Sequence, residues 1–176
     1  MIVLFNKPFN VLCQFTDREG RKTLSDFIKV KNVYAAGRLD FDSEGLVILT
    51  DDGKLQNKIS DPEYKLEKTY WVQLEGIPSE ESLNKLRKGI LLKDGFTKPA
   101  RAKLIDAPKI TERNPPIRER KNIPTNWIEL IISEGKNRQV RRMTAAIGHP
   151  TLRLIRYSIG DWTLENLKPG DYKSIK

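Results

Sequence analysis

The segment AGRLDFDSEGLVIL, residues 36–49, runs from a polar, glycine-containing turn straight into four aliphatic residues. The aliphatic run at 46–49 lies between Gly45 and the Asp51-Asp52-Gly53 turn, which is the pattern of a short strand buried on both faces. Loops held by such rigid elements commonly carry active-site residues. We therefore expect a buried strand at 46–49 and a functional turn immediately before it.

The charged residues of this turn favour a catalytic carboxylate. An adjacent guanidinium stabilises the ionised form of a carboxyl group, so a carboxylate next to Arg38 would be charged at neutral pH, as a nucleophile or a base must be. A structural alternative stays open. In that alternative Asp40, Asp42 and Ser43 only satisfy backbone groups of the turn.

The same stretch also matches part of a calcium-binding loop. Asp40, Asp42, Glu44, Gly45 and Asp51 fall at positions 1, 3, 5, 6 and 12 of the EF-hand pattern. That pattern prefers a glutamate at its twelfth position and a helix on each side, whereas a strand-like run fills the second half here, so no bound metal is predicted. Glycine-rich nucleotide-binding motifs are absent from the sequence, so no cofactor is expected either.

Length and composition indicate a soluble globular protein. The 176 residues, 38% hydrophobic and 31% charged, suit one domain, with a subdomain boundary expected near residues 62–68. Cys13 is the only cysteine, which excludes an internal disulfide and favours a reducing compartment. No apolar run is long enough to span a membrane and no basic leader is seen, so we expect a cytoplasmic protein. The sequence contains no heptad repeat, which favours a monomer.

The net charge of +9 is concentrated in one third of the chain. Residues 98–156 hold 14 of the 32 basic residues and only five of the 23 acidic ones, so the rest of the chain is neutral overall. Such a basic segment is typical of a surface that binds a polyanion, because each neutralised phosphate releases counterions. A merely solvated basic surface is the alternative. Anionic lipid is disfavoured because no amphipathic helix with a broad apolar face accompanies the charge.

Apolar periodicity predicts an α+β fold in which helices pack on a mixed sheet. Strands are expected at 2–5 and 11–15, paired as an opening hairpin, and at 46–49, 68–74, 99–105 and 127–133. Helices are expected at 23–30, 79–88 and 137–147, with shorter helical turns at 55–60 and with Asn137 as the cap of the last helix. Residues 106–126 contain four prolines and no periodicity, which predicts a long basic loop.

The helix expected at 137–147 has two different faces. At about 100° per residue one face is apolar, and the other carries Arg138, Arg141 and Arg142. A guanidinium face of this kind can bind phosphate or pair with a buried carboxylate. A solvated helix surface is the alternative, so the sequence alone does not choose among these roles.

Residues 37–46, GRLDFDSEGL, are accompanied by three further segments: NKPFNV at 6–11, KTY at 68–70, and NRQVRRM at 137–143 followed by GHP at 148–150. Together they resemble, in order and over almost the whole chain, the motifs of the RsuA-like ribosomal RNA pseudouridine synthases. The resemblance implies that family's α+β fold, a largely antiparallel sheet with flanking helices and two lobes around a central catalytic cleft. Members often carry an S4 RNA-binding domain before the first motif. Here that motif starts at residue 6, so the resemblance is to members without an S4 domain.

The resemblance implies a cofactor-free conversion of a uridine in ribosomal RNA, here that of the large subunit (23S), to pseudouridine. Asp40 would be the essential carboxylate, either as a nucleophile on the sugar or as a base at its C2′. Tyr70 would lie against the detached uracil and help to remove the C5 proton. Arg141, or alternatively Arg138, would pair with Asp40, and Arg38 would fill the gap left by the flipped-out uridine.

A wider RNA-binding surface is also implied. Single strands and bulges are the expected targets, because their bases cost less to extrude. The remaining residues predicted to contact RNA or to line the cleft are Lys7, Arg142, Leu154, Arg156, Arg113, Arg118, Arg120 and Lys121. The partner would be ribosomal RNA or a ribosomal subunit precursor. A non-catalytic RNA-binding assembly factor is the alternative function, and the presence of Asp40 and Tyr70 within full motifs argues against it.

Overall fold

The structure, a computed structural model, describes residues 1–175. The chain forms a terminal unit, made of Met1–Leu66 and the residues from 156 onward, and a central unit, made of Glu67–Ile155. The helices and strands of the described residues are β1 (Ile2–Lys7), β2 (Tyr34–Ala36), β3 (Glu44–Thr50), α1 (Gly53–Ser60), β4 (Lys68–Glu75), α2 (Glu80–Lys88), β5 (Leu91–Leu92), β6 (Gly95–Phe96), β7 (Arg101–Ile105), β8 (Thr125–Ile132), α3 (Gln139–Ala146), β9 (Thr151–Ile159), β10 (Trp162–Thr163) and β11 (Tyr172–Ile175). Mostly antiparallel strands with three α-helices confirm the predicted α+β class.

Strand β3 is the most buried element of the terminal unit. All seven of its residues are buried, which confirms the strand expected at 46–49. It pairs antiparallel with β1, from Ile2 opposite Thr50 to Lys7 opposite Gly45, and with β2. Because the strand is covered on both faces, it gives the turn before it a rigid anchor.

The expected opening hairpin is wrong. Residues 11–15 form no strand, and the only pairing there is an isolated parallel bridge between Leu12 and Thr23. Strand β1 instead has β3 on one side and β11 on the other. Since both edges of β1 are occupied, no position beside it is left for the neighbouring segment.

The helix expected at 23–30 is much shorter. Only Leu24–Asp26 form a single 3₁₀ turn, which Thr23 and Asp26 close as a reciprocal capping box. Leu24 and Ile28 are buried in the core of this unit, and the backbone turns at Asn32 with a φ of 65°. One turn is enough to bury these side chains before the chain reverses.

The central unit is built on β4. Tyr70, Val72 and Leu74 alternate toward its core, as the sequence pattern predicts. Strand β8 pairs with all eight residues of β4, and β7 pairs with the other side of β8. Helix α2 contributes Leu83 and Leu86 to the same core, and the Ser79 hydroxyl caps it by accepting a hydrogen bond from the Ser82 amide at 3.1 Å, which confirms the predicted helix.

The edge strand β7 and the start of helix α3 complete this unit. Leu104 of β7 is exposed, whereas Ala102 is buried. Helix α3 begins at Gln139, and Arg138 stands at its N-cap with a φ of 52° and no side-chain hydrogen bond to the helix backbone. Asn137 is therefore not the cap. Residues 106–124 form no helix or strand, in agreement with the predicted loop.

Within residues 1–175, every helix is too short and too polar to cross a lipid bilayer.

Candidate functional site

The aspartate loop, residues 37–45, follows β2 and includes the first two residues of β3 in the terminal unit. Gly37 and Gly45 bound it, with φ values of 79° and 114° that L side chains rarely adopt. Inside it the Ser43 amide donates a hydrogen bond to the Asp40 carbonyl at 3.1 Å. Asp40 itself is half-buried, and Arg38 is exposed. The loop thus carries a partly accessible carboxylate on a tightly turned backbone.

Lys7 lies beneath this loop and is 0% exposed. Its Nζ donates hydrogen bonds to the carbonyls of Pro8 at 2.9 Å, Val11 at 2.8 Å and Phe41 at 3.3 Å. A protonated amine has three N–H donors, and here all three meet protein carbonyls. Lys7 is therefore not the RNA contact predicted from the sequence, because a buried and fully hydrogen-bonded ammonium has no donor left for phosphate. It ties the first motif to the aspartate loop instead.

Two effects of the surroundings act on the pKa of Lys7 in opposite directions. Burial lowers the pKa of Lys7 from 10.5 to about 8, while electrostatic interactions with Cys13, Glu44, Asp42 and Asp40, in decreasing order, raise it in part. The lysine is thus still largely protonated at neutral pH. Its positive charge therefore lies near the acidic side chains of the loop.

Arg156 holds the other side of the aspartate loop and is 4% exposed. Its Nε donates to the Leu46 carbonyl at 2.9 Å and its Nη1 to the Arg38 carbonyl at 3.4 Å. Its backbone is equally close, since a Cβ placed on Gly45 would lie 2.3 Å from the Arg156 carbonyl oxygen. Arg156, predicted to line the cleft, is instead buried against the loop backbone at both ends of the motif.

Arg38 projects from the loop toward solvent. Its Nη2 donates to Oε1 of Gln14 at 3.2 Å, and the side chain is otherwise exposed. The residue is therefore accessible from solvent, and its contact with the substrate stays a prediction.

In the central unit, Tyr70 and Leu154 belong to the apolar core. Tyr70 lies opposite Leu130 in the β4–β8 pair, and the two residues share a cluster with Leu154. Both Tyr70 and Leu154 are buried. The surrounding core fixes the orientation of the Tyr70 ring, and Leu154 acts first as a packing residue.

Helix α3 places the three predicted arginines differently. Arg138 is exposed and Arg141 is half-buried. Arg142 donates to both carboxylate oxygens of Asp94, at 2.7 and 3.3 Å, and to the Asn137 carbonyl at 3.0 Å. The hydrogen bond from Arg142 is the main reason that the pKa of Asp94 lies below its usual value, and Lys136 contributes less. Arg142 therefore links α3 to the segment that carries Asp94, a contact that the sequence reading missed.

Glu134 is a second residue that the sequence reading missed. It is buried, and its Oε1 accepts hydrogen bonds from the Lys98 amide at 2.8 Å and from Nε2 of Gln139 at 3.0 Å. A buried glutamate joins two segments distant in sequence at the start of α3. The only sequence signal for it was that it is one of five acidic residues in the basic third of the chain.

The basic loop, residues 106–124, is partly held by its own cations. Arg113 donates to the carbonyls of Pro115, Pro116 and Leu152, at 2.9, 3.0 and 3.2 Å. It therefore organises the loop as well as charging it. Arg118, Arg120 and Lys121 are exposed. The Nε of Arg120 lies 3.7 Å from Oε2 of Glu75.

No group of three or more histidine, cysteine, aspartate or glutamate side chains could hold a metal ion in the part of the chain that the structure describes.

The comparisons with known proteins agree with one another on the family. The RNA pseudouridylate synthase family model matches residues 1–146. A solved structure described as a pseudouridylate synthase superposes with a TM-score of 0.82 at 33% identity, over 99% of this chain and 70% of that one. The chain belongs to the RNA pseudouridylate synthase family.

Curated relatives give a narrower likeness. The Vibrio parahaemolyticus protein named ribosomal large subunit pseudouridine synthase E is 63% identical over 99% of this chain and 74% of its own length. The Xanthomonas axonopodis protein of the same name is 56% identical over 96% of this chain and 90% of its own length. The Bacillus subtilis ribosomal large subunit pseudouridine synthase B is 41% identical over 98% of this chain.

Proposed function

We propose that this protein isomerises one uridine of large-subunit ribosomal RNA to pseudouridine, with Asp40 as the essential carboxylate. The observation that carries the proposal is the aspartate loop: a half-buried carboxylate on a backbone tied down by two buried cations, Lys7 and Arg156. The family match and the high identity to relatives named for the large subunit support it. The same likeness supports large-subunit ribosomal RNA as the partner. We propose further that it is bound as free RNA or within a subunit precursor, in the cytoplasm.

The reaction requires one bond to break and another to form on the same sugar. The N1–C1′ bond of uridine breaks, the uracil turns, and a C5–C1′ bond forms, while C5 loses a proton and N1 gains one. A carboxylate can promote this either by attacking the sugar or by removing a proton from C2′. Both roles need the Asp40 carboxyl group in its ionised form.

The other predicted residues receive roles in the same proposal. Tyr70 faces the detached uracil and helps to remove the C5 proton, and Arg141, or alternatively Arg138, is the cationic partner of Asp40. Arg38, exposed on the loop, occupies the space left by the extruded base. Lys7 and Arg156 position the loop, since both donate to its backbone.

The proposal is tested by mapping pseudouridine in unmodified ribosomal RNA after incubation with the wild type, Asp40→Asn and Asp42→Asn. Carbodiimide modification followed by primer extension reports the position of any new pseudouridine. We expect a stop with the wild type and with Asp42→Asn, and a loss on the order of 10³-fold or more with Asp40→Asn. RNA affinity should change by no more than a few-fold, because the substitution keeps the shape of the side chain.

Asp42→Asn is the matched control, because it removes a carboxylate from the same loop two residues away. Equal loss of RNA binding and activity in Asp40→Asn would make Asp40 structural. RNA binding without any stop from the wild type, on free RNA and on subunit precursors alike, would favour the non-catalytic assembly factor.

A further inference from the structure

The hairpin of the central unit, residues 89–98, exposes an unusual pair of apolar side chains. Leu91 and Phe96 stand directly opposite each other in the β5–β6 pair, so both side chains lie on one face. They are 62% and 70% exposed. Leu92, on the opposite face, packs against the core of the unit. The hairpin thus buries one face and leaves a flat aromatic–aliphatic face in solvent.

This hairpin is rigidly attached at both its base and its tip. At the base, the Ile90 amide donates to the Thr97 hydroxyl at 2.9 Å and the Lys98 amide donates to Glu134 at 2.8 Å. At the tip, Asp94 accepts two hydrogen bonds from Arg142 of α3. A platform held in this way loses little conformational freedom when something binds to it.

Positive charge surrounds the exposed face. Lys88, Lys93 and Lys98 are exposed in or beside the hairpin, and Asp94 is the only acidic residue between 85 and 98. The segment that Asp94 and Lys98 contact adds the exposed Lys136 and Arg138. The one acid of the hairpin already has an arginine partner, so the net field here is strongly cationic.

An aromatic ring within a cationic surface has a specific use in nucleic-acid binding. Every base has a π-face, so a ring can stack on any unpaired base, while lysines bind the neighbouring phosphates. A protein partner fits less well, because the apolar face is small and the cations around it require an acidic surface.

We propose that the Leu91–Phe96 face is a stacking platform for an unpaired nucleotide of the RNA substrate, separate from the uridine that reacts. The proposal rests on the RNA-modifying function proposed above. It adds a second base-binding site to this unit, with Phe96 as the stacking ring, Leu91 as its apolar support, and Lys93 and Lys98 as phosphate ligands.

The test measures RNA affinity by fluorescence anisotropy for the wild type, Phe96→Ala, Phe96→Trp and Ile77→Ala. Ile77 is a matched control, because it is 63% exposed in the same unit and lies outside the hairpin. Two RNAs are used: a stem–loop with single-stranded flanks, and a blunt, fully paired duplex of similar length. Thermal melting of each variant verifies folding.

We expect Phe96→Ala to weaken binding of the stem–loop by about tenfold, as loss of one stacked base should do. Phe96→Trp and Ile77→Ala should bind like the wild type, and all variants should bind the duplex equally. The dependence of affinity on salt should be the same for Phe96→Ala and the wild type, because stacking releases no counterions.

Three results for Phe96→Ala would overturn the platform. The variant could bind both RNAs with wild-type affinity, or it could lose the same affinity for the stem–loop and the duplex. It could also keep its RNA affinity but lose self-association, as measured by sedimentation. Pseudouridine mapping on the same samples separates the two proposals. An active wild type with an unaffected Phe96→Ala refutes only the platform. Stem–loop binding that depends on Phe96, with no pseudouridine formed on free ribosomal RNA or on subunit precursors, refutes only the catalytic function. A wild type that binds neither RNA refutes the platform.

Discussion

The aspartate loop and the basic loop are held in opposite ways. In the aspartate loop, the cations Lys7 and Arg156 are buried and donate to backbone carbonyls, so charge is used inside the protein to fix a turn. In the basic loop, Arg113 does the same, but Arg118 and Lys121 remain exposed. Basic residues thus fix the backbone of the first loop, whereas those exposed on the second are free to meet the RNA proposed as substrate, although the sequence presents both as positive charge.

The largest expected effect is that of Gly45→Ala in the aspartate loop. The new Cβ would lie 2.3 Å from the Arg156 carbonyl oxygen at a φ of 114°, so the backbone of β3 or β9 must shift. We expect a loss of at least about 4 kcal/mol in the free energy of unfolding, which urea denaturation measures. Gly37→Ala is the control: its φ is 79° with nothing within 4 Å, so strain alone should cost about 1–2 kcal/mol. Equal costs at the two glycines would refute the close contact with Arg156.

Lys7→Met should come next, at about 2–3 kcal/mol at pH 7. The substitution keeps the apolar stem but leaves the carbonyls of Pro8, Val11 and Phe41 without their buried donor. Urea denaturation measures the loss in the free energy of unfolding. The RNA affinity of the folded variant, measured at low protein concentration, should equal that of the wild type. Loss of affinity in a stable Lys7→Met protein would restore Lys7 as an RNA contact.

Lys7 should also give the fold a characteristic pH dependence. Its pKa is about 8 in the folded protein against an ordinary value of 10.5. Between these values the unfolded chain binds one proton more than the folded chain, so this residue makes folding more favourable as the pH rises from about 8 to 10.5. The stability difference between wild type and Lys7→Met, measured at pH 7.5 and pH 9.5, should grow at the higher pH. A constant difference would contradict the lowered pKa.

The basic loop should respond in RNA affinity and not in stability. Replacing Arg118, Arg120 and Lys121 together by alanine should weaken RNA binding about tenfold or more and make the salt dependence less steep, because fewer counterions are released. The matched control removes the exposed Lys31, Lys54 and Lys58 of the terminal unit, which lowers the net charge equally. If both triple variants lose the same affinity, only total charge matters and the loop has no special place.

The smallest effect is expected for Asp94→Asn. The Arg142–Asp94 pair is 31% and 47% exposed, so solvent screens it and its removal should shift the urea midpoint less than Gly37→Ala does. Arg142 lowers the pKa of Asp94, so the contribution of the pair is present above the ordinary aspartate value of 3.8 and disappears as the pH falls below the folded value. A larger shift than that of Gly37→Ala would mean that the pair holds the hairpin more firmly than its exposure suggests.

Local sequence patterns correctly predicted the elements that are buried on one face or on both faces. The alternation in β4, the aliphatic run of β3 and the Ser79 cap of α2 each encode the structure within a few neighbouring residues. The strand expected at 11–15 does not form, because strand pairing depends on distant partners. Here β11 and β3 occupy the two edges of β1. No local sequence pattern indicates that β3 and β11, and not residues 11–15, pair with β1.

The site residues show the same contrast between features set by local sequence and features set by distant contacts. Asp40 and Arg38 were found from a dense motif and lie on one loop, partly or fully accessible. Lys7 and Arg156 were misread because a lysine and an arginine in a basic protein are usually solvated. Their burial depends on which carbonyls the folded backbone turns toward them, and a single sequence does not reveal that.

The pairing of β1 with β11 has a consequence for the order in which the protein matures. The central unit is complete once residue 155 has been synthesised, whereas the terminal unit still lacks Arg156 and the strand that covers one edge of β1. We expect the central unit, second in sequence, to become protease-resistant first on the ribosome, and stalled chains of increasing length would reveal the opposite order if the terminal unit folded alone. The loop that carries Asp40 would thus acquire its final shape only after residue 175 has been synthesised.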